Sequence, residues 1–276
     1  MEPSRQPPCG RIEAYAEAEM DVYPADGLLH TPKMTDAQKS SDDPEIPASS
    51  SDIPERYVAF CDILGFSDRI LNDFSQTFDA YRGFCKLIAN FSFKDVELTI
   101  YSDAVLLVGE TLAPVLSAAQ GLWFFALARN LMLRGAITKG HYWELRKGKH
   151  LFVASDALVR AVKLEKAVGV PAIFVADDVD IPLEYWIARL QQGLFVTPIL
   201  HFRDRNIVNP FNRYWFVSAK ARATILMNES PAHKDKYLRF LALHDAVANN
   251  EELIPFPVLK RLIEEGVLVK KIGLDG

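Results

Sequence analysis

Two aspartates, Asp62 and Asp103, have the residue type and setting that metal-dependent chemistry requires. Asp62 ends an apolar run in FCDILGF, and Asp103 stands between two apolar runs in YSDAVLL. Taken singly, Asp62 could cap the following helix and Asp103 could be an ordinary turn residue. If their strands are neighbours, both carboxylates reach one edge of a sheet, where they repel each other unless a cation lies between them. Such oxygen ligands suit Mg²⁺ or Mn²⁺, and a pair of these ions can activate an attacking hydroxyl and stabilise a leaving phosphate.

The segment after Asp62 adds a candidate phosphate cradle. Gly65 allows a sharp turn, and a helix starting near Ser67 would direct its free N–H groups at a bound anion. A strand, a glycine and a helix in this order are weak support alone. Beside two metal-ligating acids they form the part that a triphosphate needs.

The elements that must position these residues follow from hydrophobic periodicity. RYVAFCDIL predicts a buried strand, residues 67–91 one long amphipathic helix, VELTIYSDAVLLVGE a hairpin and residues 112–132 a helix. RGAITKG predicts a strand, HYWELRKGKHLFVA a second hairpin, DALVRAVKLEKAVG a helix and PAIFVA a strand. Further on, FVTPILHF and RYWFVSA resemble strands, whereas KYLRFLALHDAVA and FPVLKRLIEEGV resemble helices. Hairpins mixed with crossover helices predict an α+β sheet with helices on one face.

Composition divides the chain into three parts. Residues 1–54 are rich in Ser, Pro and Asp and predict a disordered N-terminal arm. Residues 55–180 carry the regular pattern and predict the catalytic core. Residues 181–276, where the signal weakens, predict a C-terminal elaboration packed on that core.

Charge and cysteine content limit the function classes. A net charge of −5 and the lack of a basic stripe argue against nucleic acid and acidic membranes as partners. The three cysteines lack metal-ligand spacing, and Cys61 within its apolar run indicates a buried, reduced thiol. The chain shows no signal peptide and no apolar run long enough to span a bilayer, so a cytoplasmic location is expected.

Four segments together resemble a known family. FCDILGF, SDAVLL, LRGAITKG and ASDALVRAVKLEKA resemble the class III nucleotidyl cyclase catalytic domain, most closely the bacterial Pycsar pyrimidine cyclases of anti-phage defence. The resemblance covers residues 56–178. It implies a ferredoxin-like βαββαβ core and a homodimer with sites at the subunit interface. It also implies that UTP or CTP is converted to a 3′,5′-cyclic nucleotide, which reaches an effector only as a diffusing product.

The resemblance also implies roles for individual residues. Two Mn²⁺ or Mg²⁺ ions per site would be held by Asp62, Asp103 and the Ile63 carbonyl. Either Arg160 or Lys163, three apart on one helix, would supply the transition-state cation from the partner subunit. The nucleotide-binding residues would be Phe60, Gly65, Phe66, Thr99 and Arg134, the last as a phosphate ligand.

Departures from the family pattern concern the base. Thr99 stands where adenine-reading cyclases carry a lysine, Val159 where they carry an asparagine, and the acid that pairs with the lysine would fall near Phe152. These differences disfavour an ordinary adenylate cyclase without choosing between UTP and CTP. A purine cyclase of the same fold and a non-catalytic nucleotide-binding module stay open. A haloacid dehalogenase-type phosphatase is disfavoured, because it needs an aspartate where Leu64 stands.

Overall fold

The structure, a computed structural model, describes residues 49–167, 169–193, 195, 197–249 and 254–268. The predicted disordered arm therefore lies outside the described residues up to position 48. Ser50–Asp52 form a short 3₁₀ turn, and Glu55 begins the first strand of the described residues.

Eight strands and eight helices are described. The strands are β1 Glu55–Ile63, β2 Val96–Tyr101, β3 Ala104–Gly109, β4 Leu133–Lys147, β5 His150–Ser155, β6 Ile173–Val175, β7 Ile199–Phe202 and β8 Arg205–Val208. The helices are α1 Phe66–Asn72, α2 Phe74–Ala89, α3 Leu112–Ala128, α4 Asp156–Ala167, α5 Leu183–Gln192, α6 Phe216–Glu229, α7 Lys234–Ala248 and α8 Phe256–Glu264.

The first four strands form the predicted βαββαβ core. Their spatial order is β2-β3-β1-β4, with β1 antiparallel to both β3 and β4. This is the strand order of a ferredoxin-like unit, so the predicted α+β fold class is confirmed. Beyond β4, the parallel strand β6 and then β8 and β7 continue the same sheet, while β5 pairs with the outer half of β4.

Helices cover both faces of the sheet, so the prediction of helices on one face was wrong. Successive strand residues point to opposite faces. Ala59 belongs to the main core cluster, which includes most of α3, whereas its neighbour Val58 packs with Ala157 of α4 in a second cluster. Because α3 covers the first face, α4, the crossover helix that leads to β6, covers the opposite face.

The predicted long helix over 67–91 is two helices. Asp73 ends α1 in a non-helical conformation, and its side chain accepts a hydrogen bond of 3.1 Å from the Gln76 N–H at the start of α2. An aspartate that caps the second helix in this way competes with continuation of the first.

Two strand predictions also differ from the structure. RGAITKG and the first arm of the following hairpin form one continuous strand, β4, which pairs with β1 and then with β5. RYWFVSA enters helix α6 rather than a strand. The Asn212 side chain accepts hydrogen bonds from the N–H groups of Tyr214 and Trp215, a local turn that starts the helix despite the β-favouring composition.

Two C-terminal helices, α6 and α7, pack on the core helix α3. Phe240 of α7 stacks on Trp123 of α3, with ring centroids 5.0 Å apart and planes at 17°. Arg222 of α6 donates to the carbonyl groups of Leu127 and Ala128 at the end of α3. These contacts fix α6 and α7 against α3. Among the described helices, none has the length and apolar character to cross a membrane.

Candidate active site

The two aspartates meet at the end of the central strand β1. Asp62 lies opposite Ala104 of β3 and Arg134 of β4 in the strand register. Asp103 occupies the β2–β3 turn, and its carbonyl accepts a hydrogen bond of 3.0 Å from the Ile63 N–H. A cavity of about 240 Å³ at this point is lined by six of the predicted site residues, namely Asp62, Ile63, Gly65, Phe66, Asp103 and Arg134.

The electrostatics of Asp62 suit a divalent cation. Burial raises the pKa of its carboxyl, and the nearby Asp103 carboxylate raises it further, while the Arg134 guanidinium opposes both effects. Within the part of the chain that the structure describes, no three His, Cys, Asp or Glu side chains converge as a ready-made metal cluster. Two carboxylates and a carbonyl are nevertheless the hard oxygen donors that Mg²⁺ and Mn²⁺ accept, with phosphate and water oxygens completing the shell. The residues therefore fit the implied ions.

Arg134 is held between two acids. Its guanidinium lies 2.8 Å from Asp62 Oδ2 and 2.8 Å from Glu165 Oε1. The Glu165 side chain is only 2% exposed, and burial raises its pKa although Arg134 opposes this. Arg134 is thus an ion-pair partner of the predicted metal ligand as well as a residue of the cavity wall.

Glu165 is a site residue that sequence reasoning missed. It lies on the buried face of α4, where the other fully covered residues are Ala157 and Ala161. The spacing of four residues was the available signal, because it places a carboxylate on a helix face that otherwise carries alanine. A charged group in that position requires a partner, and Arg134 supplies it.

The C-terminal region adds His233 and Lys236 to the same cavity, two residues for which the sequence had suggested no role. His233 Nε2 lies 3.2 Å from Asp68 Oδ2, and its ring covers Gly65. Gly65 has φ of +71°, and a Cβ at this position would lie 2.7 Å from His233 Cδ2. The turn after β1 therefore needs glycine both for its backbone conformation and for this close approach.

Replacing Gly65 with alanine is expected to destabilise the protein more than the same change at Gly148. Both glycines have positive φ, which costs an alanine roughly 1 kcal/mol, but a Cβ at Gly148 meets no atom within 4 Å. The clash with His233 adds about 1 kcal/mol or more at Gly65. Urea unfolding of the two variants measures this difference. Equal losses would mean that the His233 ring moves aside freely.

The remaining predicted residues lie away from this cavity. Phe60 and Thr99 both pair with Leu106, so the three residues lie in one row across the sheet. This row is on the same face as Asp62, and Phe60 precedes that aspartate by two residues along β1. Arg160 pairs with the Asp178 carboxylate and donates to the Lys139 carbonyl. Lys163 is exposed on α4. The structure thus gathers the candidates for metal and phosphate binding, but not the candidates for base recognition or for the transition-state cation.

No protein-family model and no curated protein matches the chain. Among solved structures, the chain is similar to the guanylyl cyclase Cya2, with 10% identity, a TM-score of 0.38, and 57% of this chain and 92% of that one covered. It is also similar to the adenylyl cyclase CyaB from P. aeruginosa, with 13% identity, a TM-score of 0.38 and coverage of 58% and 95%. The guanylyl cyclase domain of the RhoGC fusion protein from Blastocladiella emersonii has 16% identity, a TM-score of 0.34 and coverage of 56% and 95%. At these values, function has to be argued from the site itself.

Proposed function

We propose that this chain is a nucleotidyl cyclase that converts UTP or CTP to the 3′,5′-cyclic nucleotide and pyrophosphate, as a second messenger in anti-phage defence. The observation that carries the cyclase proposal is the convergence of Asp62 and Asp103 on one cavity beside the Gly65 turn. The pyrimidine base and the defence role rest on the sequence resemblance.

The residues divide the chemistry between them. The bond between the 3′-oxygen and the α-phosphorus forms, the bond from that phosphorus to pyrophosphate breaks, and the hydroxyl proton passes to solvent. Asp62, Asp103 and the Ile63 carbonyl would hold Mg²⁺ or Mn²⁺, which would lower the pKa of the hydroxyl and neutralise the leaving group. Gly65 and Phe66 border the space for the triphosphate, and Arg134 would pair with its oxygens through a planar guanidinium.

The active form would be a homodimer. Arg160 and Lys163 lie off the cavity of their own chain, so either would act from the partner subunit. Two apolar side chains on the α4 side of the sheet support a subunit contact there: Tyr101 is 82% exposed and Val159 is 53% exposed. Burial of such side chains between subunits would contribute to association.

The pyrimidine proposal, which rests on the resemblance, is supported by the absence of the usual adenine-reading residues at the matching positions. Thr99 is a half-buried residue of β2 and cannot present the ammonium that adenine readers of this class use. Phe152, near the position of the matching acid, is an exposed apolar residue of β5. The Thr99 and Phe152 side chains are consistent with a pyrimidine, which is smaller than a purine and carries different polar groups.

Incubation with each of the four nucleoside triphosphates and Mn²⁺, followed by mass analysis of the products, tests the proposal. We expect cyclic UMP or cyclic CMP together with pyrophosphate. Cyclic AMP or cyclic GMP alone would refute the pyrimidine assignment and identify a purine cyclase. The absence of product from all four would overturn the cyclase proposal and favour a nucleotide-binding module.

A further inference from the structure

Lys236 is a cation that the C-terminal region brings into the acid-lined cavity. It stands in the first turn of α7 and lines the cavity together with Asp62, Asp103 and Arg134. The next residue, Tyr237, is fully buried, and Phe240 one turn later stacks on Trp123. The backbone that carries Lys236 is therefore anchored in the core, so the side chain is held near the site.

The two cationic side chains that line the cavity, Arg134 and Lys236, differ in the partners they contact. Arg134 already forms ion pairs of 2.8 Å with Asp62 and Glu165. Lys236, by contrast, forms neither an ion pair nor a side-chain hydrogen bond with any residue that the structure describes, although it is half-buried. Burial, followed by the nearby Arg134, lowers the pKa of its ammonium. A partly desolvated ammonium without a direct partner gains from an anionic ligand.

We propose that Lys236 binds the terminal phosphates of the nucleoside triphosphate from within the same chain, while His233 acts as a positioning residue that packs on the Gly65 turn. The inference rests on the proposed cyclase function and deepens it, since it gives the C-terminal elaboration a part in the site. Its ligand class is a polyphosphate, recognised through charge and independently of the base. Gly65 and Lys236 then border the phosphates from two parts of the chain that are distant in sequence.

Titration calorimetry with inorganic tripolyphosphate, supplied as its Mg²⁺ complex, tests this role without a base or a reaction. We expect Lys236→Ala to weaken binding by about ten- to a hundredfold, the range for losing a hydrogen bond between charged groups. Lys236→Arg, which keeps the charge, should recover most of the affinity. The matched control is Lys234→Ala, since Lys234 is an exposed lysine of the same helical turn that does not line the cavity. Circular dichroism establishes that each variant is folded.

Equal affinities for the Lys236→Ala and Lys234→Ala variants would overturn the inference, as would a wild-type chain that does not bind tripolyphosphate. Turnover measurements distinguish a failure of the role proposed for Lys236 from a failure of the proposed cyclase function. If the wild-type chain cyclises a nucleotide and Lys236→Ala keeps its KM and kcat, only the role of Lys236 fails. If tripolyphosphate binding depends on Lys236 but no triphosphate is cyclised, Lys236 remains a phosphate ligand and the cyclase proposal fails.

Discussion

Replacing both Asp62 and Asp103 with asparagine is expected to lower cyclic nucleotide formation by about a thousandfold or more. Asparagine keeps the shape of each side chain but removes the negative charge that holds divalent ions. Metal ions contribute several kcal/mol to such reactions, and each 1.4 kcal/mol is about tenfold in rate. Product formation under saturating triphosphate and Mn²⁺ measures the loss.

A second readout separates metal binding from catalysis. The double variant should also lose Mn²⁺ affinity, measured by titration without nucleotide, because two of the three proposed ligands are changed. Asp177→Asn serves as the matched control, since Asp177 pairs with Arg205 on the surface and its side chain is 70% exposed. A double variant that cyclises nucleotide at the wild-type rate would sink the assignment of these acids.

The convergence of the two aspartates could be predicted because it depends on strands alone. Both acids stand at the ends of apolar runs, and pairing of those runs brings the ends together whatever the helices do. The observed register places Asp62 opposite Ala104, the residue directly after Asp103. Local pattern was therefore sufficient for this half of the site.

The other residues of the site could not be predicted from the local sequence pattern, because their positions depend on long-range packing. In the sequence, Glu165 is one more charged residue of an amphipathic helix. Its role as the partner of Arg134 is evident only when α4 packs against β4. Likewise, Lys236 and His233 belong to a region whose pattern mixes helix and strand signals. In that region RYWFVSA predicts a strand, although Asn212 starts a helix there. Their positions depend on contacts such as Trp123 with Phe240, which join residues far apart in sequence.

The contacts of α6 and α7 with α3 link the C-terminal region to the cavity. Its helices α6 and α7 pack on α3, and α7 carries Lys236 to the cavity at the end of β1. A core that ended at residue 180 would keep both aspartates and Arg134 but would lack one of the two cations of that cavity. If Lys236 binds phosphate as proposed, the C-terminal elaboration and the predicted catalytic core form one functional unit.

Arg134→Met is expected to destabilise the protein by about 3 kcal/mol at pH 7, and a second change, Glu165→Gln, should recover most of that loss. The cost arises because removing the guanidinium leaves the Glu165 and Asp62 carboxylates without their shared partner. Glu165 dominates this cost because its side chain is 2% exposed, against 20% for Asp62. Neutralising the Glu165 carboxylate removes most of the cost without restoring a phosphate ligand, so the double variant should be stable yet impaired in turnover. Urea unfolding measures the stability of both variants.

The dependence on pH distinguishes this explanation from a simple packing defect. Burial already raises the pKa of Glu165, and loss of Arg134 removes the main influence that opposes the rise. The native state of Arg134→Met would then bind a proton that the unfolded state has released, so its stability should increase as the pH falls through the raised pKa. Lys220→Met is the control: its pair with Asp245 is about half exposed on both sides and should cost less than about 1 kcal/mol. If Arg134→Met lost equal stability at every pH, or if Glu165→Gln gave no recovery, the unpaired carboxylate could not be the cause.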